Sequence, residues 1–295
     1  MVRPKVVYVM GTARSGSTIL GVTLGNCDGV FFAGELGGWL EKSGRSNYDG
    51  SEREGLWGKV LTRIEDPSKL FGSEARHTLE RSTAAYRIDK WPARRRLRGP
   101  WRRITAGLYR AIGVETGARH IVDTSSHPLR ARELQKLDRA DGVGGVDGVE
   151  LYLLYMVRDP HGVVASFTTP GPAKFSDSIF ITNAYIWLTN LLAVSIFLRQ
   201  PRERRLFVRY EDFVADPAGV LGTLLRGMGS DAQVPDLEAL QTGPAFQGNI
   251  LLRKGQVSLK GRPDAPPRRA LTTVFQLVWP VIHSLLRPAA SARER

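Results

Sequence analysis

The chain has 295 residues, a length that can bury one large core, and its single cysteine, Cys27, excludes an intrachain disulfide framework. Forty-two lysines and arginines against 29 acidic residues leave a net charge of +13, which favours anionic partners, whether polynucleotide, phosphorylated small molecule or acidic acceptor, without choosing among them. Residues 1–5 lead into a strand pattern rather than the apolar core of a secretion signal, so the expectation is a cytosolic protein.

Residues 6–10 (VVYVM) form an apolar run of strand length that delivers the chain to Gly11-Thr12-Ala13-Arg14-Ser15-Gly16-Ser17-Thr18. This is the glycine frame of a nucleotide phosphate loop, but Ser17 stands where a triphosphate loop needs lysine. The fixed charge is Arg14, whose planar guanidinium suits splayed anionic oxygens. A helix from Ser17 to about Leu24 would turn free N–H groups on the same anion, with Ser15, Ser17 and Thr18 as ligands or helix caps. A short strand over 30–32 follows. Residues 37–60, rich in glycine and charge, read as a surface excursion. Helical periodicity covers 73–88 and again 104–116; between them the run Arg94-Arg95-Arg96, Arg98, Arg102-Arg103 predicts a break and either a solvated basic face or a contact for an acidic acceptor. Residues 120–122 read as a brief central strand, 128–137 as a helix and 141–148 as a loop.

Residues 151–157 (LYLLYMV) carry the strongest strand pattern, near-continuously apolar as in a parallel strand covered on both faces. The run ends in Arg158-Asp159-Pro160, where Asp159 can cap and Pro160 can open a helix that carries Ser166 in its second turn. Residues 179–198 contain no charged side chain and are long enough to cross a bilayer. Thr182, Asn183, Thr189 and Asn190 interrupt them, so a buried core helix is expected and no membrane span, the polar groups bonding within the core or lining a cleft. A strand over 205–210, a helix over 217–228 and an apolar helix over 271–286, bent or divided by Pro280, complete the pattern. The fold class predicted is α/β: a single P-loop-like domain over 1–295 with a central parallel sheet flanked by helices, surface insertions near 37–60, 91–103 and 139–150, and ligands at the carboxyl ends of the strands.

Two anion sites at the ends of two parallel strands suggest a ligand with phosphates at both ends. Arg14-Ser15-Gly16-Ser17-Thr18-Ile19-Leu20 resembles the 5′-phosphosulfate loop of sulfotransferases that use 3′-phosphoadenylyl sulfate (PAPS). Arg158 to Ser166 resembles their 3′-phosphate motif, in which the arginine and serine contact the ribose phosphate. Val208-Arg209-Tyr210-Glu211-Asp212-Phe213 is similar to the segment that sets a tyrosine near the cofactor, and Gly248-Asn249 with Arg253, Lys254 and Gly255 to the C-terminal cofactor-contacting region. The likeness spans roughly residues 5–260. It implies PAPS as donor, adenosine 3′,5′-bisphosphate (PAP) as product and no metal; no cysteine–histidine cluster has metal-ligand spacing.

The resemblance also implies an acid–base group. Glu35, after the second strand pattern, is similar to the catalytic glutamate of the tyrosylprotein and some carbohydrate members, and is expected to act as general base. The chain departs from the family at Asp123-Thr124-Ser125-Ser126-His127-Pro128, where Ser126 occupies the place of a lysine near the bridging oxygen. Either Ser126 donates a neutral hydrogen bond, or His127, Lys90 or Arg130 supplies the charge; His127 is also an alternative base. His161 stands where many relatives carry arginine. The Asp123–Ser126 region and Glu35 resemble the carbohydrate and bacterial small-molecule branches, implying a hydroxyl on a sugar, glycolipid or small metabolite, acidic ones included, as acceptor, and no nucleic-acid partner. A nucleotide or metabolite kinase, a polyanion-binding protein and an inactive donor-binding scaffold are the competing readings.

Overall fold

The computed structural model describes residues 3–39, 41–42, 44, 51–64, 73–81, 88–139, 148–169, 176, 178–259 and 266–286. The elements run β1 (Lys5–Gly11), α1 (Ser17–Gly25), β2 (Val30–Gly34), α2 (Ser51–Thr62), a short turn α3 (Ser73–Ala75) continuing into a π-turn over Arg76–Glu80, then α4 (Trp91–Thr116), β3 (His120–Ser126), α5 (Pro128–Arg139) and β4 (Glu150–Val157). They continue with α6 (Pro160–Thr168), α7 (Ile179–Phe197), β5 (Arg205–Arg209), α8 (Tyr210–Ala215), α9 (Pro217–Gly227), β6 (Leu240–Gln241), β7 (Gln256–Val257), α10 (Ala270–Gln276) and α11 (Trp279–Leu286). β1 to β5 form one sheet in the order β2-β3-β1-β4-β5, every pairing parallel, and β6 and β7 form a small antiparallel ribbon.

Strand alternation divides the core. Val6, Tyr8 and Met10 of β1 with Leu151, Leu153 and Tyr155 of β4 face one side, against α4, α5 and α7. Val7 and Val9 with Tyr152, Leu154 and Met156 face the other, against α1, α8 and α9. Both faces are dry, which is why β1 and β4 read as unbroken apolar runs. The order changes direction at β1: β2 and β3 lie to one side, β4 and β5 to the other. A crevice therefore opens at the carboxyl ends of β1 and β4, where such sheets bind ligands.

Three expectations need correction. The arginine-dense stretch is no break or insertion: α4 is one 26-residue helix with Pro100 inside it. Leu97, Trp101 and Ile104 are buried along one face, which offsets the roughly 3 kcal/mol cost of an interior proline, while the arginines lie along the rest. The 37–60 stretch is no surface excursion where it is described, for Trp39, Trp57 and Val60 are buried, Trp57 edge-on to Phe246 at 5.0 Å; residues 40, 43 and 45–50 lie outside the described residues. α7 is the one described helix long and apolar enough to cross a membrane by length and composition, and it is buried on one face only. Its polar residues point inward: Asn190 accepts from the Tyr155 hydroxyl at 3.0 Å, and Asn183 donates to Thr272 at 3.2 Å and accepts from Gln276 at 3.0 Å. Phe180, Ile181, Leu188 and Leu191 are exposed.

The 141–148 loop, apart from Gly148, and residues 82–87 of the 73–88 helix pattern lie outside the described residues. The C-terminal apolar stretch is divided as expected, α10 ending at Gln276 and α11 starting at Trp279 with Pro280 in its first turn, where a missing N–H costs nothing.

Candidate active site

β1 delivers the chain to a loop in which Arg14 itself has φ 69°, a left-handed conformation unusual for a side chain as large as arginine. Gly16 follows at φ 95° and is the N-cap of α1. Only glycine fits there, because a Cβ would overlap the ring of Tyr210. No side chain caps α1, so its first N–H groups lack an internal acceptor, and the buried Ser15 hydroxyl has no hydrogen-bond partner among the described residues. Strained backbone, an uncapped helix and an orphaned hydroxyl together make a cradle for an anion.

The second motif meets the first directly. Arg158, at the end of β4, donates from Nη1 to the Arg14 carbonyl at 3.0 Å and lies over the Tyr210 ring, 4.6 Å from its centroid. Arg14 Nε donates to the Ser166 hydroxyl at 2.9 Å. Asp159 caps α6 by accepting from the His161 amide at 2.8 Å, as the sequence predicted. Arg14, Gly16, Ser17, Thr18, Arg158 and Ser166 thus line one cavity of about 420 Å³, within the roughly 300–1,000 Å³ range of small-molecule sites. Glu35, Ser126, His127 and Asn249 line the same cavity.

Glu35 sits just past β2, its amide donating to the Gln247 carbonyl at 2.7 Å. Burial pushes its carboxyl up to about 6, against the pull of Arg76, with smaller effects from Asp123 upward and from Arg14 and Lys42 downward. A carboxyl so placed changes protonation near neutrality, as a general base requires.

β3 is longer than its sequence pattern, continuing through Asp123 to Ser126, because Met10 of β1 pairs with Ser126 across an irregularity in register. Asp123 is buried and fully engaged, accepting from the Ser125 amide at 2.9 Å, the Ser125 hydroxyl, the Tyr109 hydroxyl at 2.6 Å and Arg130 Nε at 3.2 Å. It orients the strand end and has little capacity left for an acceptor. Ser126 has φ 64°; its hydroxyl donates to the Thr124 carbonyl at 3.0 Å and lies 3.4 Å from that of Ser17.

Several residues expected to supply charge do not bring it to the cavity. Burial, reinforced by Arg76, Arg81 and Arg130, pulls the His127 imidazole down to about 3, so it is neutral and a weak base at physiological pH. Arg130 is buried in the core and neutralised by Glu80 and Asp123. Lys90 does not line the cavity, nor do Arg253 and Lys254, which are exposed. Tyr210 is half-buried against Gly16 and beneath Arg158, behind the loop rather than in the lining. His161 turns away, its ring against Asp159 and 3.2 Å from the Thr273 hydroxyl. In the arginine run, Arg96 pairs with Glu74 while Arg98 and Arg102 share Glu133, so much of that charge is met within the chain.

Three lining residues escaped the sequence reading: Arg76, Tyr185 and Leu251. Ser125 donates to Asp123 and accepts from the Gly37 amide at 2.7 Å, tying the β3 end to the segment after Glu35. Among the described residues no group of three histidine, cysteine or acidic side chains could hold a metal ion.

No sequence-family model and no curated protein matches the chain. Solved structures do. The sulfotransferase domain from the curacin biosynthetic pathway aligns at a TM-score of 0.52 and 17% identity over 93% of this chain and 96% of that one. The sulfotransferase domain of the Synechococcus PCC 7002 olefin synthase aligns at 0.53 and 18% over 98% and 97%. These two likenesses show that the chain, with its five-stranded parallel sheet flanked by helices, has the fold of those sulfotransferase domains.

Proposed function

We propose that the protein is a sulfotransferase that moves a sulfuryl group from PAPS to a hydroxyl of a carbohydrate, glycolipid or small metabolite. The observation that carries this reading is the convergence of the two anion motifs: Arg158 bonds the Arg14 carbonyl and Arg14 bonds Ser166, so groups 152 residues apart in sequence meet on one cavity. A ligand with anionic groups on both sides of one ribose needs such an arrangement. The likeness in fold to two sulfotransferase domains supports the same chemistry.

PAPS, when bound, supplies an activated sulfuryl group. In this reading the uncapped N–H groups of α1, the Ser15 hydroxyl and the Thr18 side chain would hold its 5′ end, and Arg158 and Ser166 its 3′-phosphate. Glu35, as carboxylate, takes the proton of the acceptor hydroxyl while that oxygen bonds to sulfur. The S–O bond to the 5′-phosphate breaks, its electron pair remaining on the phosphate, where the loop N–H groups and Arg14 meet the growing charge. PAP and the sulfate ester are the products.

Thermal stabilisation tests the reading. PAP at a hundred times its dissociation constant should contribute about 2.7 kcal/mol of stability, with ATP–magnesium and a short oligonucleotide each giving far less. A preference for ATP–magnesium would convert the assignment to a kinase, and a salt-sensitive preference for the oligonucleotide to a polyanion binder.

A further inference from the structure

Sulfuryl transfer places negative charge on the sulfonyl oxygens and on the leaving phosphate oxygen, and a cation beside them is worth a large factor in rate. Ser126, at the position of the family lysine, cannot supply one, and its hydroxyl is given to the Thr124 carbonyl. His127 is neutral, Arg130 is enclosed by carboxylates, and Lys90 is off the cavity. Of the arginines lining the cavity, Arg158 gives Nη1 to the Arg14 backbone carbonyl, and Arg14, which meets the leaving phosphate, gives Nε to Ser166. The third is Arg76.

Arg76 opens the π-turn Arg76–Glu80, a rare geometry concentrated at functional sites. The other end of the turn is fixed: Glu80 is fully buried, bonded to Arg130 and to Trp101 Nε1 at 2.9 Å. The Arg76 side chain is 14% exposed, with Nη1 paired to Glu41 and a buried Nε that has no hydrogen-bond partner among the described residues. A buried guanidinium N–H left open costs free energy unless a ligand meets it. Arg76 lines the cavity together with Glu35, Ser125, Ser126 and His127, and it is the cation that acts most strongly on Glu35.

Resting on the sulfotransferase reading, we propose that Arg76 is the sulfonyl-binding residue of this enzyme, a cation brought in by the π-turn to the place the family lysine leaves empty. As the acceptor oxygen bonds to sulfur and the S–O bond to the 5′-phosphate breaks, the Arg76 guanidinium donates to a sulfonyl oxygen; the acceptor proton goes to Glu35 and the bond's electron pair to the phosphate. Arg76 gains and loses no proton in the step.

PAPS and PAP differ only in the sulfonyl group, so their dissociation constants, measured by calorimetry, isolate the contact. Arg76→Ala should weaken PAPS by about tenfold or more, the range of a charged hydrogen bond, and leave PAP within about twofold. Arg76→Lys, which keeps the charge and guards against misfolding, should fall between. Glu41→Ala, which removes the ion pair but not the guanidinium, should leave both constants within about threefold. Undiminished PAPS binding by Arg76→Ala overturns the proposal, as does equal weakening of both nucleotides by Arg76→Ala and Glu41→Ala, which would make the arginine structural. Failure of the unsubstituted protein to bind either nucleotide removes the sulfotransferase reading itself, and this assignment with it.

Discussion

Replacing Glu35 with glutamine should make the protein more stable and less active. Burial holds the carboxyl at about 6 rather than 4.5, despite the opposing charge of Arg76. A group raised in this way contributes its stability fully below 4.5 and loses it as pH rises through about 6. At 1.36 kcal/mol per pH unit, the difference means that ionised Glu35 costs the folded state about 2 kcal/mol at pH 7.5. Glu35→Gln keeps the shape and removes the charge, so it should melt higher at pH 7.5, by roughly 3 °C for a domain of this size, with the gain vanishing at pH 4. Scanning calorimetry of both proteins at the two values measures it. Sulfuryl transfer should fall by about 10²- to 10⁴-fold in the same variant. A variant that melts at or below the parent at pH 7.5 would refute the account of a carboxylate held ionised against its surroundings.

Further outcomes follow from the same geometry. The pH profile of PAPS turnover should rise through about 6 as Glu35 ionises and show no second step near 6.5, because His127 titrates at about 3. Arg158→Ala should weaken PAP about 10- to 100-fold by calorimetry, through loss of a charged contact and of the tie to the Arg14 carbonyl. Arg130→Met strands Glu80 and Asp123 as buried carboxylates and should cost about 3–5 kcal/mol in urea denaturation. Gly34→Ala, at φ 80° with its Cβ directed at the Gln247 carbonyl, should cost about 1–3 kcal/mol in the same assay and disturb the segment that holds Glu35.

What the sequence made legible was local. The β1 loop and the β4–Arg158–Asp159–Pro160 junction each place strand, turn and helix start in contiguous residues, so periodicity and cap chemistry sufficed to find them. The sheet followed, since two dry faces leave an unbroken apolar run. The strand pattern stopped at residue 122, short of Asp123–Ser126, because strand continuation there depends on pairing with Met10, a long-range event that polar residues hide. The α4 break was misplaced because arginine favours helix and one buried stripe, Leu97-Trp101-Ile104, holds the helix together through Pro100. Arg76 carried no signal: it sits in no motif, and its nearness to Glu35 arises only when the π-turn packs against α4, α5 and the turn that follows Glu35. Lys90, Arg253 and Lys254 were the converse, basic residues in suggestive places whose side chains the fold directs elsewhere.

The buried guanidinium of Arg130 has a consequence for redesign. It links α5 to Asp123 on β3 and to Glu80 on the π-turn, with Tyr109 of α4 bonded to the same aspartate. Segments far apart in sequence are thereby riveted through one side chain. A library built on the cavity should therefore vary lining residues such as Leu251 and leave Glu80, Tyr109, Asp123 and Arg130 unchanged, since these four hold the end of β3 that carries Ser125 and Ser126 in the lining.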